Sequence, residues 1–172
     1  VDYCVLHCTL DRLCDMSQVI KSRWVRPEDI YAYEEIGIDL FKISGRSMPT
    51  ERILNAAEAY LSRHYNGNLY DILNVLTPKT EFSSPALPGT QNIVIGSPPK
   101  IYIDNQALEG FIDFFRKQDC LAGCNQCNYC QEIADKVVKF DPQEVYKYVS
   151  VLKSFLTDLS SSRIFEPAPT RL

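Results

Sequence analysis

The sequence predicts an α/β fold in its first half, followed by a mostly helical, cysteine-rich segment. Three observations carry that reading. A helix, a strand and a second helix succeed one another between Pro27 and Arg63, a proline-rich stretch interrupts the chain from Thr77 to Pro99, and helical patterns flank a run of cysteines from Cys120 to Cys130. With 172 residues the chain is long enough for one globular domain, or a domain with a tail.

The first helix opens at Pro27, Glu28 and Asp29, where a fixed proline φ and acidic side chains suit a helix N-terminus. Ile30, Tyr33 and Ile36 then recur at helical spacing, and Gly37 follows the last turn. Next, Ile38 to Ile43 form a compact apolar run bounded by Gly37 and by Ser44-Gly45, the pattern of a buried strand entering a turn. Ser47, Pro49, Thr50 and Glu51 supply cap and first-turn residues for a helix reaching Arg63, with Ile53, Leu54, Ala57, Tyr60 and Leu61 on its apolar side.

Residues 76–100 read as a linker or irregular excursion, because Pro78, Pro85, Pro88, Pro98 and Pro99 exclude a helix. This divides the chain into 1–75, 76–100 and 101–172. In the last segment, Ile101-Tyr102-Ile103 predicts a short strand, and Leu108, Phe111, Ile112, Phe114 and Phe115 predict an amphipathic helix running into the cysteine loop. Ile133, Val137 and Val138 continue helically after the loop. A final helix follows Asp141-Pro142, with an apolar stripe from Val145 to Leu159.

The charge balance excludes one class of partner. With 22 acidic residues against 18 Lys and Arg and a net charge of −4, non-specific nucleic-acid binding is not expected. No apolar run approaches the ~20 residues of a membrane span, so no membrane association is expected and the chain reads as cytoplasmic. It begins at Val1 without an initiating Met, which suggests a fragment or a processed chain.

The seven cysteines fall in two groups: Cys4, Cys8 and Cys14, and then Cys120, Cys124, Cys127 and Cys130. An odd, clustered set is not a disulfide framework, and metal or cluster ligation in a reducing compartment fits better. The second group is a C-x3-C-x2-C-x2-C run. Four thiolates at such spacing suit an iron–sulfur cluster, and Gly123 with two Asn residues suits the tight loop around it. Zinc takes the same four ligands, but structural zinc sites separate two C-x2-C knuckles by roughly 12–20 residues, so a 4Fe-4S cluster ranks above zinc. Buried cysteines acting as small hydrophobes remain the bland reading for three of the seven.

Cys4-x3-Cys8, with Cys14 beyond, supplies two or three ligands and no closed site; its partners are expected upstream of Val1. His7 between them reads as a polar neighbour, and His64 as a surface residue at a helix end. In a parallel α/β arrangement the loop after a strand faces the ligand side, which puts Arg46 there together with Ser44, Gly45 and Ser47. Arg46 can clamp a carboxylate or phosphate, or it can serve as an ion-pair or capping residue.

The stretches Trp24 to Ile30 and Tyr33 to Arg46 resemble the peptidase U32 family, whose members carry a P-x-D-L segment and an E-x-G-I/V-D-x-x-K-I-x-G-R segment. The resemblance covers about residues 1 to 75 and implies that this part is the C-terminal βα portion of a TIM-like barrel. A complete barrel takes ~250 residues, so a missing N-terminal barrel half or a partner chain is implied. The family includes collagenase-like proteases, and also iron–sulfur proteins that hydroxylate quinone precursors or RNA bases without oxygen. On that likeness Cys4 and Cys8 sit where some members carry their last cysteine pair. The family's E-x-F-x2-G-[SA]-[LIVM]-C signature is absent, and the run from Cys120 to Cys130 departs from its short hydroxylation proteins.

The C-x3-C-x2-C of Cys120, Cys124 and Cys127 also matches the radical S-adenosylmethionine signature. There, however, the motif follows a first barrel strand, whereas helix-like sequence precedes it here. Three functions follow. The first is an iron–sulfur protein with an electron donor, in which Arg46 and Lys42 position an anionic substrate or cofactor. The second is a metal-dependent or collagenase-like peptidase, for which no nucleophile with an adjacent base is visible. The third is a domain stapled by structural zinc.

Overall fold

The computed structural model describes residues 3–45, 48–73, 82–83, 94–118, 120, 124 and 127–161. In chain order the elements are α1 (Tyr3–Cys14), α2 (Ser17–Ile20), a 3-10 turn (Pro27–Asp29) leading into α3 (Ile30–Glu34), and α4 (Thr50–Ser62). A 3-10 turn (Leu69–Asp71) precedes β1 (Phe82–Ser83), β2 (Val94–Ile95) and β3 (Ile101–Ile103). Then come a 3-10 turn (Gln106–Leu108), α5 (Phe111–Lys117), α6 (Tyr129–Val137), β4 (Val138–Phe140) and α7 (Pro142–Ser161). The protein is thus mixed helix and sheet. Two compact units divide the chain: Val1–Cys14, Thr77–Pro99 and Pro142–Leu172 form one, and Asp15–Leu76 with Lys100–Asp141 form the other.

In the first unit α1 packs on α7. Helix α1 buries Leu6, Thr9 and Leu13, which helical periodicity brings to one side. The Thr9 hydroxyl donates to the Val5 carbonyl at 2.9 Å, which satisfies a polar group inside that contact. The facing stripe of α7 buries Val145, Tyr148, Val149, Leu152 and Leu156, as its apolar spacing predicts. Strands β1 and β2 pair antiparallel, and β2 lies against α7 with Ile95 fully buried. Helix α1 has no counterpart among the expectations from sequence.

In the second unit α2 packs on α6, with Val19, Ile20, Ala134 and Val137 buried. Strand β3 pairs antiparallel with β4, matching Ile101 to Phe140 and Ile103 to Val138. The Asn68 side chain stitches the Leu69–Asp71 turn to the free edge of β3. Its Oδ1 accepts the Ile103 N–H at 2.8 Å and the Tyr70 N–H at 3.2 Å, and its Nδ2 donates to the Ile101 carbonyl at 3.0 Å. An Asn here caps a turn and an edge at once.

The helix expected after Pro27 forms as the 3-10 turn plus α3 and stops where anticipated. Gly37 takes φ +88, which a residue with a Cβ adopts only at a cost. Helix α4 ends on Arg63 at φ 55, an uncommon conformation for a non-glycine. The Arg63 guanidinium donates to both Glu34 carboxylate oxygens, at 2.9 and 2.8 Å.

Two expectations are corrected. Ile38 to Ile43 do not form a buried strand: the segment has no strand assignment, and Ile38, Leu40, Phe41 and Ile43 are exposed. A strand exists only through a neighbour's hydrogen bonds, and no backbone hydrogen bond joins residues 39–44 to another described residue. Val138 does not continue α6 but begins β4, because β3 supplies a partner edge for Val138–Phe140. Both sheets among the described residues are two-stranded and antiparallel, and neither is a barrel sheet.

Candidate functional site

The four thiols of the C-terminal run are carried by the connection between α5 and α6. Cys130 lies in the first turn of α6 and is half-buried, whereas Cys120, Cys124 and Cys127 are exposed. A turn is already set inside the run, where the Cys127 N–H donates to the Cys124 carbonyl at 3.3 Å. Burial pushes the Cys130 thiol above its ordinary value. The Lys21 ammonium from the end of α2 opposes that rise, and the sulfurs of Cys124, Cys127 and Cys120 add to it. Cys130 thus lies within electrostatic reach of the other three thiols of the run and of one cation.

An aromatic clasp closes the base of this loop. Tyr129 stacks on Phe114 with ring centroids 3.6 Å apart and meets Phe115 edge-on at 5.8 Å. Phe111 stacks between Tyr129 and Trp24, at 6.0 and 5.5 Å. The Tyr129 hydroxyl donates to the Phe111 carbonyl at 3.3 Å, which ties the start of α6 to the start of α5. The clasp brings the two ends of the thiol loop together before any ligand is considered. The apolar pattern of Phe111, Phe114 and Phe115 announced a buried face, but Tyr129 and Lys21 as neighbours of the thiols were not legible.

Cys4 and Cys8 lie one turn apart on the exposed side of α1, and Cys14 ends that helix. The i,i+4 spacing puts both thiols on one face. The Tyr3 and His7 rings sit beside them with centroids 4.5 Å apart. Among the described residues, no group of three or more His, Cys, Asp or Glu side chains is placed to hold a metal ion. Every cysteine of both groups is a free thiol.

Of the two candidate substrate residues, Lys42 is exposed on the segment after α3 that belongs to no helix or strand. Arg46 lies outside the described residues. The neighbouring hollow is lined by Ile43, Ser44, Met48, Arg52, Ile53 and Leu73 among others. Arg52 is committed there to structure, donating to the Tyr70 and Leu73 carbonyls at 2.7 and 2.5 Å.

A buried polar network, invisible in the sequence, holds the start of the first predicted helix. Arg26 and Asp29 are 7% and 5% exposed, and Asn105 is 1% exposed. The Arg26 Nε donates to Asn105 Oδ1 at 3.0 Å, and another guanidinium nitrogen reaches Asp29 Oδ1 at 3.4 Å. Asn105 Nδ2 donates to Glu28 Oε1 at 2.9 Å and to the Tyr65 carbonyl at 2.6 Å. Glu28 Oε1 also accepts the Tyr65 N–H at 2.8 Å, with His64 Nδ1 3.4 Å away. Glu28 Oε2 is buried without a hydrogen bond and is balanced by the Arg26 charge at 3.3 Å. Burial pushes the Asp29 carboxyl up to about 6 against the pull of Arg26, with Glu28 and Asp113 adding to the rise.

A mixed α/β protein with a clasped four-thiol loop is the class these features define. The chain is 33% identical over 138 residues to a protein of Methanocaldococcus jannaschii named as an uncharacterized protease. That match takes in 80% of this chain and 35% of the relative, so the chain spans about a third of the relative's length. It establishes a relation to a protein carrying a protease name. No protein-family model and no solved structure matches the chain.

Proposed function

We propose that the protein is an iron–sulfur member of the peptidase U32 family that supports oxygen-independent hydroxylation, or a related redox modification, of a small molecule or RNA base. The observation that carries this reading is the run of four free thiols from Cys120 to Cys130, with Cys130 beside an aromatic clasp and within electrostatic reach of the other three. The donor set is the argument. Four thiolates match a 4Fe-4S cluster without any further ligand, and no His, Asp or Glu lies within the run. Cys120, Cys124, Cys127 and Cys130 would hold the cluster, which when bound supplies one-electron chemistry from an external donor. Cys4 and Cys8 would give half the ligands of a second centre.

The chain's own groups have defined tasks in this reading. Lys21 offsets the negative charge of the thiolates, and the clasp keeps bulk water from one side of the loop. Lys42, with Arg46, would bind an anionic part of the substrate. The finer fold reading is a TIM-like barrel that polypeptide beyond this chain completes.

A second reading, a peptidase, is favoured by the name of the relative alone. A third, a structural zinc staple, uses the same thiols. Iron, zinc and acid-labile sulfide in anaerobically purified protein separate them, measured with the visible spectrum and repeated after Cys124→Ser with Cys127→Ser. Iron with sulfide, lost in the variant, is the expected result. Zinc without sulfide would overturn the redox reading in favour of the staple.

A further inference from the structure

The cysteines of the C-terminal run are free thiols, but the backbone sets two of them up to be joined. The Cys127 N–H donates to the Cys124 carbonyl at 3.3 Å, a bond that closes a turn with one thiol at each end. A turn closed in this way holds its first and last α-carbons within about 7 Å of each other. A disulfide spans α-carbons roughly 4.4–6.8 Å apart, so the turn brings this pair to the range that a bridge needs.

Access and geometry single out the same pair. Cys124 and Cys127 are both exposed, so a reagent in solution reaches either sulfur. Cys130 is half-buried in the first turn of α6, and among the described residues no such backbone bond joins Cys127 to Cys130 or Cys120 to Cys124. Cys4 and Cys8 make an internal contrast. They stand one turn apart on α1, where β-carbons are about 5–6 Å from each other, beyond the roughly 3.5–4.5 Å of a disulfide.

We propose that Cys124 and Cys127 form a reversible disulfide, a redox switch within the four-thiol run, with a small-molecule disulfide as the oxidant. The exchange balances in two steps. One cysteine, as thiolate, attacks a sulfur of the small disulfide, which forms a mixed disulfide and releases one small thiol. The other cysteine, held at the far end of the turn, attacks the protein sulfur of that adduct, forms the Cys124–Cys127 bond and expels the second small thiol. The protein pair has then given up two electrons and two protons, and the two released thiols carry them. A small dithiol reverses the sequence. An exposed bridge is of the labile kind, which suits a switch and not a staple.

Closing the bridge withdraws two of the four sulfurs of the run from any metal. A 4Fe-4S cluster held by thiolates needs all four, so the oxidised loop cannot load one. The bridge rests on the thiols and the turn alone, whereas its meaning as a gate on loading rests on the cluster reading proposed above.

The test takes the full chain, reduced and freed of metal, equilibrates it with oxidised glutathione, quenches in acid, alkylates, and maps the peptides by mass spectrometry. A Cys124–Cys127 bridge should be the main product, removed by dithiothreitol, with no bridge between Cys4 and Cys8. Cys124→Ser and Cys127→Ser should each halt at a glutathione adduct on the remaining member of the pair, whereas Cys120→Ser should keep the bridge. Circular dichroism should be the same for all three variants and the parent. Iron and sulfide are then offered anaerobically to both forms, and the oxidised form should lose uptake until dithiothreitol restores it. Absence of a bridge, or a main bridge that includes Cys120 or Cys130, overturns the inference. Equal uptake by the oxidised and reduced forms overturns the gate. Uptake by neither form overturns the cluster reading and the gate with it, and the peptide map still decides the bridge.

Discussion

Asp29 is the residue where burial and pairing pull against each other most clearly. Asp29 is 5% exposed, and burial pushes its carboxyl from 3.8 up to about 6 although Arg26 sits beside it. A raised carboxyl value means that the folded chain binds a proton the unfolded chain has already released. The contribution of this group to stability is therefore absent well above pH 6, grows as pH falls through about 6, and is complete below 3.8. Between pH 7 and 4.5 the gain is on the order of 2 kcal/mol. Asp29→Asn should flatten the stability profile over that range by this amount, measured by urea unfolding of both proteins. Parallel profiles would show that the carboxyl titrates normally. Nothing in the sequence announced this network: Arg26 and Asn105 are 79 positions apart, and composition does not reveal which charged side chains the fold takes inside.

At the scale of elements, the clasp between α5 and α6 is the contact on which the thiol loop depends. Stacked aromatic pairs add about 0.5–1.5 kcal/mol beyond the area they bury. A double-mutant cycle with Phe114→Leu and Tyr129→Leu should return a coupling of that size in chemical denaturation. A coupling indistinguishable from zero would mean that the stack does not hold the loop. Helical pattern located α3, α4 and α7 because an amphipathic helix satisfies its own backbone and needs only a surface to lie on. Ile38 to Ile43 behaved differently. Their side-chain pattern is that of a strand, but strand formation depends on a neighbour that no local pattern contains. β4 shows the converse: Val138 prolongs a helical pattern, and pairing with β3 overrides it.

For the whole molecule, discontinuous units set how the chain responds to damage. Leu152 is fully buried in the stripe of α7 that receives α1. Leu152→Ala should cost about 2–5 kcal/mol and speed hydrogen exchange in Tyr3–Cys14 and Pro142–Ser161, while β3 and β4 keep their protection. Equal loss of protection in both units would show that they unfold together. No helix among the described residues is long and apolar enough to cross a membrane. The elements with a local cause were readable from residue order: helix periodicity, the stop at Gly37, and the four thiols whose spacing marks a candidate centre. Folding decided the features that require residues far apart to meet. The antiparallel pairing of β3 with β4, the enclosure of Arg26, Asp29 and Asn105, the placing of Lys21 near Cys130, and the exposure of Ile38 to Ile43 all depend on which distant segment supplies the second surface, and hydrophobic pattern names the surface without naming its partner.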